Sequence, residues 1–121
     1  MLDNNKCILV YGITDEELEG LEKANLRTLR ITNEMASMKI KDILDGVRIL
    51  KYNNNLPNEK VMIFNNYSDE EVRENIRLVR SVVVGGILAV VTPTSSEWTF
   101  EYLVSHLIEE REWMANQQKG R

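Results

Sequence analysis

Small polar residues follow three of the apolar segments of this chain, and their types are those that bind small molecules through hydroxyl, amide and backbone groups. In a parallel sheet the loops that leave the strands share one edge, where α/β proteins hold their ligands, and helix amino termini at that edge can bind an anion. Acidic residues at 15–17 and 69–71 occupy two of those helix starts and would repel an anion. The alternative is that these polar residues are ordinary caps and turns. The candidate binding residues are Gly12, Thr14, Asn66, Ser68, Thr92, Thr94, Ser95 and Ser96.

One cysteine and one histidine could serve nucleophilic or proton-transfer chemistry. Cys7 begins an apolar segment, which favours a buried core thiol over a reactive one. His106 lies within a helical pattern, with Tyr102 and Glu110 one turn away on either side. A single imidazole forms neither a catalytic triad nor a zinc site. We therefore expect no catalytic residue, no metal ion and no cofactor, and we do not expect an enzyme.

A strip on the last predicted helix has the composition of an interaction surface. Tyr102, His106, Glu109 and Trp113 follow one another at i, i+4, i+7 and i+11, beside the apolar stripe of the same helix. Two aromatic rings would stay exposed once the core is closed, and exposed aromatic patches on monomers mark interfaces. The alternative is that the rings widen the contact of the helix with the core.

The elements that would position these residues occur twice. Residues 6–18 align without a gap on residues 60–72, and four of the thirteen aligned pairs are identical. Residues 32–44 match residues 92–104 at a larger offset, so the second copy carries six extra residues in between. Each copy predicts a strand, a helix, a second strand and a second helix, which indicates an internal duplication of the form (βαβα)₂.

The strands and helix starts are predicted by local patterns. Cys7 to Tyr11 and residues 61–64 are short apolar runs typical of strands buried on both faces. Capping boxes begin at Thr14 and Ser68, each with a glutamate three residues later, and Thr94 begins a third of the same form. The remaining predicted elements are helices up to about residue 24, over 38–50, 69–83 and 97–116, and strands over 27–31 and 87–91.

These elements predict an α/β fold in one domain, residues 1–121, with pseudo-repeats at about 6–52 and 60–115 and a linker at about 52–59. Strand–helix–strand crossovers favour parallel pairing. We expect a four-stranded, mainly parallel sheet in the order 2-1-3-4, with helices on both faces. If the halves instead meet across a two-fold axis, the first and third strands would be antiparallel, and the sequence does not separate these arrangements.

Composition excludes several classes of partner. The net charge is −4, and neither half of the chain is basic, so nucleic acid is not an expected partner. The longest apolar run, residues 82–91, is far shorter than the about 18 residues of a membrane span. A single cysteine and no charged-then-apolar leader indicate the cytoplasm.

Motifs in the second half carry a resemblance to a known family. The motifs are Val91-Thr92-Pro93-Thr94, Trp98-Thr99, Leu103 and Glu109-Glu110, preceded by residues 61–64 and 68–71. Over about residues 60–112 the chain resembles the family called domain of unknown function 3783, from anaerobic bacteria. The resemblance implies a bacterial cytoplasmic protein, and it implies no activity because the family has none assigned.

Two functional hypotheses remain. The first is a non-enzymatic module that acts by protein association, as a homo-oligomer or with another protein, through the last helix around Trp113. The second is a small-molecule sensor or binding domain with its site at the strand-exit loops. The first predicts an exposed aromatic strip, whereas the second predicts a concave pocket at the edge of the sheet.

Overall fold

The computed structural model describes residues 6–47, 49–51 and 56–119. Residues 52–55, most of the predicted linker, therefore lie outside the described residues. The order of strands and helices is the predicted one, with two short 3₁₀ turns in addition. The elements are β1 (Cys7–Tyr11), α1 (Asp15–Lys23), β2 (Thr28–Arg30), a 3₁₀ turn (Asn33–Met35), α2 (Ile40–Leu44), β3 (Val61–Asn65), α3 (Asp69–Val82), β4 (Ile87–Val90), a 3₁₀ turn (Ser95–Glu97) and α4 (Phe100–Lys119).

The four strands form one mixed sheet. Their order, β2-β1-β3-β4, confirms the prediction. The two outer pairings are parallel, but β1 and β3 are antiparallel, so the prediction of a mainly parallel sheet is wrong. The central pairing places Leu9 opposite Ile63. These two residues are equivalent in the aligned halves. The two halves are therefore related by an approximate two-fold axis through this pair, which is the alternative arrangement that the sequence left open.

A second link between the halves lies on the helical side of the fold. Lys39 and Thr99 form an isolated antiparallel bridge. The Ile40 N–H donates to the Trp98 carbonyl at 2.9 Å, and the Phe100 N–H donates to the Met38 carbonyl at 3.0 Å. When residues 32–44 are aligned on 92–104, Met38 and Ile40 correspond to Trp98 and Phe100, so the two hydrogen bonds are equivalent. The starts of α2 and α4 are therefore held together by reciprocal bonds.

Helices cover both faces of the sheet, as predicted. Side chains of successive strand residues point to opposite faces. Leu9 and Ile63 belong to a core cluster with residues of α2 and α4, whereas Ile8, Met62 and Phe64 belong to a second cluster with residues of α1 and α3. β1 and β3 are thus buried on both faces, which accounts for their continuous apolar sequences.

Local capping chemistry explains where α1 and α3 begin. The side-chain oxygens of Thr14 and Ser68 each accept a hydrogen bond at 3.1 Å from the amide three residues later. The glutamates at those positions, Glu17 and Glu71, accept in return from the cap amides at 2.9 Å. Both predicted capping boxes are confirmed.

The third predicted capping box, starting at Thr94, does not form. Thr92 and Ser95 bond to each other instead, because the Thr92 N–H donates to Ser95 Oγ at 2.9 Å and the Ser95 N–H donates to Thr92 Oγ1 at 3.0 Å. Residues 95–97 make a 3₁₀ turn, and α4 begins later, at Phe100. The hydroxyl of Thr92, two residues before Thr94, therefore forms the hydrogen bond that caps this turn.

The second helix is shorter than predicted. It spans Ile40–Leu44 rather than residues 38–50. Gly46 adopts φ +82°, the left-handed conformation in which helices commonly end. The glycine therefore terminates this helix instead of lying within it.

Two ion pairs join the halves at the helix starts. Lys6 Nζ lies 2.7 Å from Glu71 Oε2, and Lys60 Nζ lies 2.7 Å from Glu17 Oε2. Each capping glutamate thus binds a lysine that precedes the central strand of the other half. Burial acts to raise the pKa of Glu17, but the hydrogen bonds from Lys60 and Thr14 outweigh it and lower that pKa below its ordinary value.

Substitution of Glu17 tests how much its ion pair with Lys60 contributes to the stability of the fold. A carboxyl whose pKa is lowered by folding stabilises the fold above its unfolded pKa of about 4.3 and loses that contribution as the pH falls through the folded pKa. We expect Glu17→Gln to lower the free energy of unfolding by about 1 kcal/mol at pH 7 and to have little effect at pH 3. Urea unfolding at both pH values measures this difference.

The matched control is Glu16→Gln, which removes the same charge from an exposed position in the same helical turn. An equal effect of the two substitutions at pH 7 would contradict a specific role for the pair between Glu17 and Lys60.

Candidate functional site

The predicted loop site is divided between the two sides of the sheet at which strands end. Because β3 runs antiparallel to β1, the loop after β1, with Gly12 and Thr14, lies at one of these sides. The loops after β3 and β4 lie at the opposite side, and they hold Asn66, Ser68, Thr92, Thr94, Ser95 and Ser96. The structure therefore does not bring the eight candidate residues together. The expectation that all these loops leave the same side of the sheet depended on parallel pairing of β1 and β3, whereas the two strands pair antiparallel.

Most hydroxyls of this set bond within their own turns. Thr14 and Ser68 cap helices, and Ser95 is buried and bonded to Thr92. Ser96 Oγ donates to the Pro93 carbonyl at 2.9 Å. These bonds are those of caps and turns, the alternative interpretation of the sequence.

Backbone geometry explains the residue types that follow β1 and β3. Gly12 and Asn66 both adopt the left-handed conformation, with φ of 79° and 67°. A Cβ atom on Gly12 would lie 2.3 Å from the Glu59 carbonyl oxygen. Glycine at this position is therefore required by the close approach of the chain before β3.

Cys7 and the acidic side chains show no nucleophilic or metal-binding arrangement within the part of the chain that the structure describes. The Cys7 side chain is buried, as predicted, and burial raises the pKa of its thiol, so the thiol is protonated at neutral pH. Over residues 6–47, 49–51 and 56–119, no group of three or more histidine, cysteine, aspartate or glutamate side chains is arranged to hold a metal ion. In the same part of the chain, no helix has both the length and the apolarity needed to cross a membrane.

The amino-terminal part of the predicted strip forms an aromatic cluster. The centroid of the Trp98 ring lies 4.8 Å from that of the Tyr102 ring and 5.1 Å from that of the His106 ring, and both contacts are edge to face. His106 Nε2 lies 3.6 Å from Glu110 Oε2, which is an ion pair only when the imidazole is protonated. Tyr102 remains 54% exposed. We call Trp98, Tyr102 and His106 the aromatic cluster.

The carboxy-terminal part of the strip borders an open groove of about 480 Å³ between α4 and the edge strand β4. Trp113 and Met114 are 60% and 55% exposed there, and Glu109 is exposed one turn before Trp113. We call this feature the α4–β4 groove. It is lined by Ile87, Leu88, Leu107, Glu110, Arg111, Trp113 and Met114.

The charge on one wall of the groove is already paired. The Arg111 guanidinium donates to both carboxylate oxygens of Glu59, at 2.8 and 3.0 Å. The pKa of the Glu59 carboxyl is lowered by this arginine, which keeps the pair ionised at neutral pH. The bidentate pair holds α4 to the segment before β3 and leaves the groove mainly apolar.

Sequence reasoning identified Trp113 but missed Met114 and the residues of β4. Met114 lies in the apolar stripe of α4, which predicts burial. It is exposed where it lines the open groove between α4 and the edge strand β4. The role of Ile87 and Leu88 depends on β4 being an edge strand. The signal for this was present in the predicted strand order.

Comparison with known proteins places a family in the same region. The sequence model of a family described as domain of unknown function (DUF3783) matches residues 60–114. This confirms the resemblance stated for the carboxy-terminal half, and the matched span includes β3, α3, β4, the aromatic cluster and the α4–β4 groove. Neither the curated proteins nor the solved structures contain a significant match to the chain.

Proposed function

We propose that this chain, whose residues 60–114 match a domain of unknown function, is a non-enzymatic module that acts by association with another protein chain. The observation that carries the proposal is the α4–β4 groove. Trp113 and Met114 stand more than half exposed beside the apolar residues Ile87 and Leu88. Contiguous apolar surface of this kind marks interfaces on monomeric proteins, and tryptophan is enriched among residues that dominate binding energy.

The length of α4 explains why this surface is left over after folding. Its twenty residues span about 30 Å, whereas strands of four or five residues span about 13–17 Å. Phe100, Leu103 and Val104 in the first turns are buried in the core, while the residues from Glu109 to Asn116 are exposed. The second half of the helix is therefore free to contact another chain without unpacking the core.

Burial of the exposed apolar side chains in an interface would contribute favourably to binding. Covering an exposed tryptophan ring contributes about 2–3 kcal/mol, and Met114 adds about 1–2 kcal/mol. Tyr102, His106 and Glu109 lie on the same helix as Trp113 and supply the polar rim that surrounds the apolar centre of an interface. Tyr102, His106, Glu109 and Trp113 remain the predicted contact residues.

The small-molecule alternative has less support. Its residues are divided between two edges of the sheet, and their hydroxyls are used mainly in caps and turns. Of the described pockets, the groove is formed by helix and strand residues and includes none of the eight loop residues.

We also infer that the two halves arose by duplication and that the module is cytoplasmic. The gapless alignment and the pairing of the equivalent residues Leu9 and Ile63 support the duplication. The free, buried thiol of Cys7 supports a compartment in which cysteines stay reduced.

Light scattering at several concentrations tests the association. We expect a dimer in the wild type and expect Trp113→Ala to weaken it by about 30-fold or more, the effect of losing a contact worth about 2 kcal/mol. Because Trp113 is 60% exposed, circular dichroism and the urea midpoint should change little.

The control is Leu78→Ala, which removes an exposed apolar side chain from α3 on the other face of the sheet. A wild type that is monomeric at every concentration would overturn association between copies of this chain, and a dimer unchanged by Trp113→Ala would overturn the assignment of the contact to the α4–β4 groove.

A further inference from the structure

The two edge strands occupy equivalent positions but differ in charge. β1 pairs with β2 so that Ile8 lies opposite Thr28, and β3 pairs with β4 so that Met62 lies opposite Leu88. Ile8 and Met62 are equivalent in the aligned halves, so Thr28 is equivalent to Leu88. It follows that Arg27-Thr28-Leu29-Arg30 at one edge corresponds to Ile87-Leu88-Ala89-Val90 at the other.

Arginines protect the β2 edge. Arg30 donates to Asp15 Oδ1 at 2.8 Å and to the Ile13 carbonyl at 3.1 Å, which holds its charge beside the strand. Charged residues on an edge strand discourage pairing with a further strand, because pairing would bury or crowd the charge. In β4 both arginine positions carry aliphatic residues, and Val90 is 44% exposed. This edge lacks that protection.

The backbone of β4 is oriented to accept another strand. The Ile87 N–H donates inward to the Lys60 carbonyl at 2.8 Å, and the Val91 N–H donates inward to the Phe64 carbonyl at 2.9 Å. In a parallel pair, alternate residues bond to the same neighbour, so Leu88 and Val90 direct their amide and carbonyl groups away from the sheet. An antiparallel partner strand would pair with these two residues.

We infer that the partner is a second copy of this chain, joined by antiparallel pairing of β4 with β4 of the copy. The inference rests on the proposed association and specifies its geometry. Leu88 of each copy lies opposite Val90 of the other, and the two copies of Ala89 face each other on the two-fold axis. Every cross-strand contact is then aliphatic, and the α4–β4 grooves lie beside the junction.

Charge selects this arrangement over pairing of β4 with the β2 edge of another copy. That alternative would place Arg27 and Arg30 against aliphatic side chains. It would also leave a free edge at each end, so that copies would add without limit. Pairing of two β4 strands uses the uncharged edge of both copies, closes at two, and leaves the arginine-bearing edges outermost.

Disulfide trapping tests the register. Facing residues in a non-hydrogen-bonded antiparallel pair have Cα atoms about 4.5 Å apart, within the range that a disulfide spans. Under mild oxidation we expect Ala89→Cys to form a covalent dimer in more than half of the protein. Leu29→Cys, at the equivalent position of the β2 edge, should remain monomeric on a non-reducing gel. The native chain is the background control because Cys7 is buried.

Val90→Arg tests the role of charge in solution. The substitution gives β4 the residue found at position 30 of β2, and Asp69 and the Tyr67 carbonyl occupy the positions equivalent to the partners of Arg30. The fold should therefore accept it, which circular dichroism checks. We expect dimerisation to weaken by at least tenfold.

The outcomes separate this inference from the proposed association. A dimer that Trp113→Ala dissociates, but that survives Val90→Arg and is not trapped through Ala89→Cys, would overturn edge pairing and leave the association standing. A wild type that is monomeric throughout would overturn both. Trapping through Leu29→Cys as readily as through Ala89→Cys would contradict the choice of edge.

Discussion

Replacing Phe100 by alanine should lower the free energy of unfolding by about 3–5 kcal/mol, a large part of the 5–15 kcal/mol that stabilises a domain of this size. Phe100 is 1% exposed and opens α4 at the point where the two halves are bridged. Its ring meets Tyr11 edge to face, with centroids 5.5 Å apart. The truncation would leave a cavity between the sheet and the helix that carries the proposed interface.

Urea unfolding followed by far-ultraviolet circular dichroism measures this loss. Phe100→Leu is the matched variant, and we expect it to cost less than half as much because leucine fills most of the same volume. Leu78→Ala, at an exposed position, should change stability by less than about 1 kcal/mol. A loss below 1 kcal/mol for Phe100→Ala would contradict the packing described here.

Gly12→Ala should destabilise the fold by about 2–5 kcal/mol. Two costs add at this position. The left-handed backbone, with φ +79°, costs about 1–2 kcal/mol for a residue with a Cβ atom. The new methyl group would also lie 2.3 Å from the Glu59 carbonyl oxygen and must displace backbone, which costs about 1–3 kcal/mol.

Gly46→Ala separates the two costs. Gly46 has nearly the same φ, +82°, but among the described residues other than its chain neighbours a Cβ there would meet no heavy atom within 4 Å. We expect it to lose only about 1–2 kcal/mol. Equal losses for the two variants, measured by urea unfolding, would mean that the approach of Glu59 to Gly12 relaxes without cost.

Local chemistry in the sequence predicted the secondary structure better than the directions of the strands. Thr14 and Ser68 determine helix starts through bonds that span three residues, so the pattern is visible in a short segment. The direction of β1 relative to β3 depends on how two halves meet across more than fifty residues, and apolar strands of this kind fit either direction. Thr94 shows the limit of local reasoning, because Thr92 formed a competing bond with Ser95.

The candidate surface was predictable only in part. The spacing of Tyr102 and Trp113 placed them beside the core stripe of the helix, and both are exposed. The groove beside Trp113 also needs β4 as an edge strand and a helix longer than the sheet. Neither is a property of α4 alone. The expectation that all eight loop residues share one side of the sheet failed for Gly12 and Thr14, because their position relative to the other six depended on the direction of β1 relative to β3.

The span matched by the family, residues 60–114, contains only two of the four strands of the sheet. Residues 60–114 include β3 together with β4, but the other side of β3 is completed by β1, through five residue pairs that include Leu9 with Ile63. A fragment limited to the matched span would therefore leave one of the most buried strands open to solvent along its full length. The amino-terminal half acts as a tethered partner that fills this position. Its covalent connection replaces a bimolecular encounter with an effective concentration in about the millimolar range.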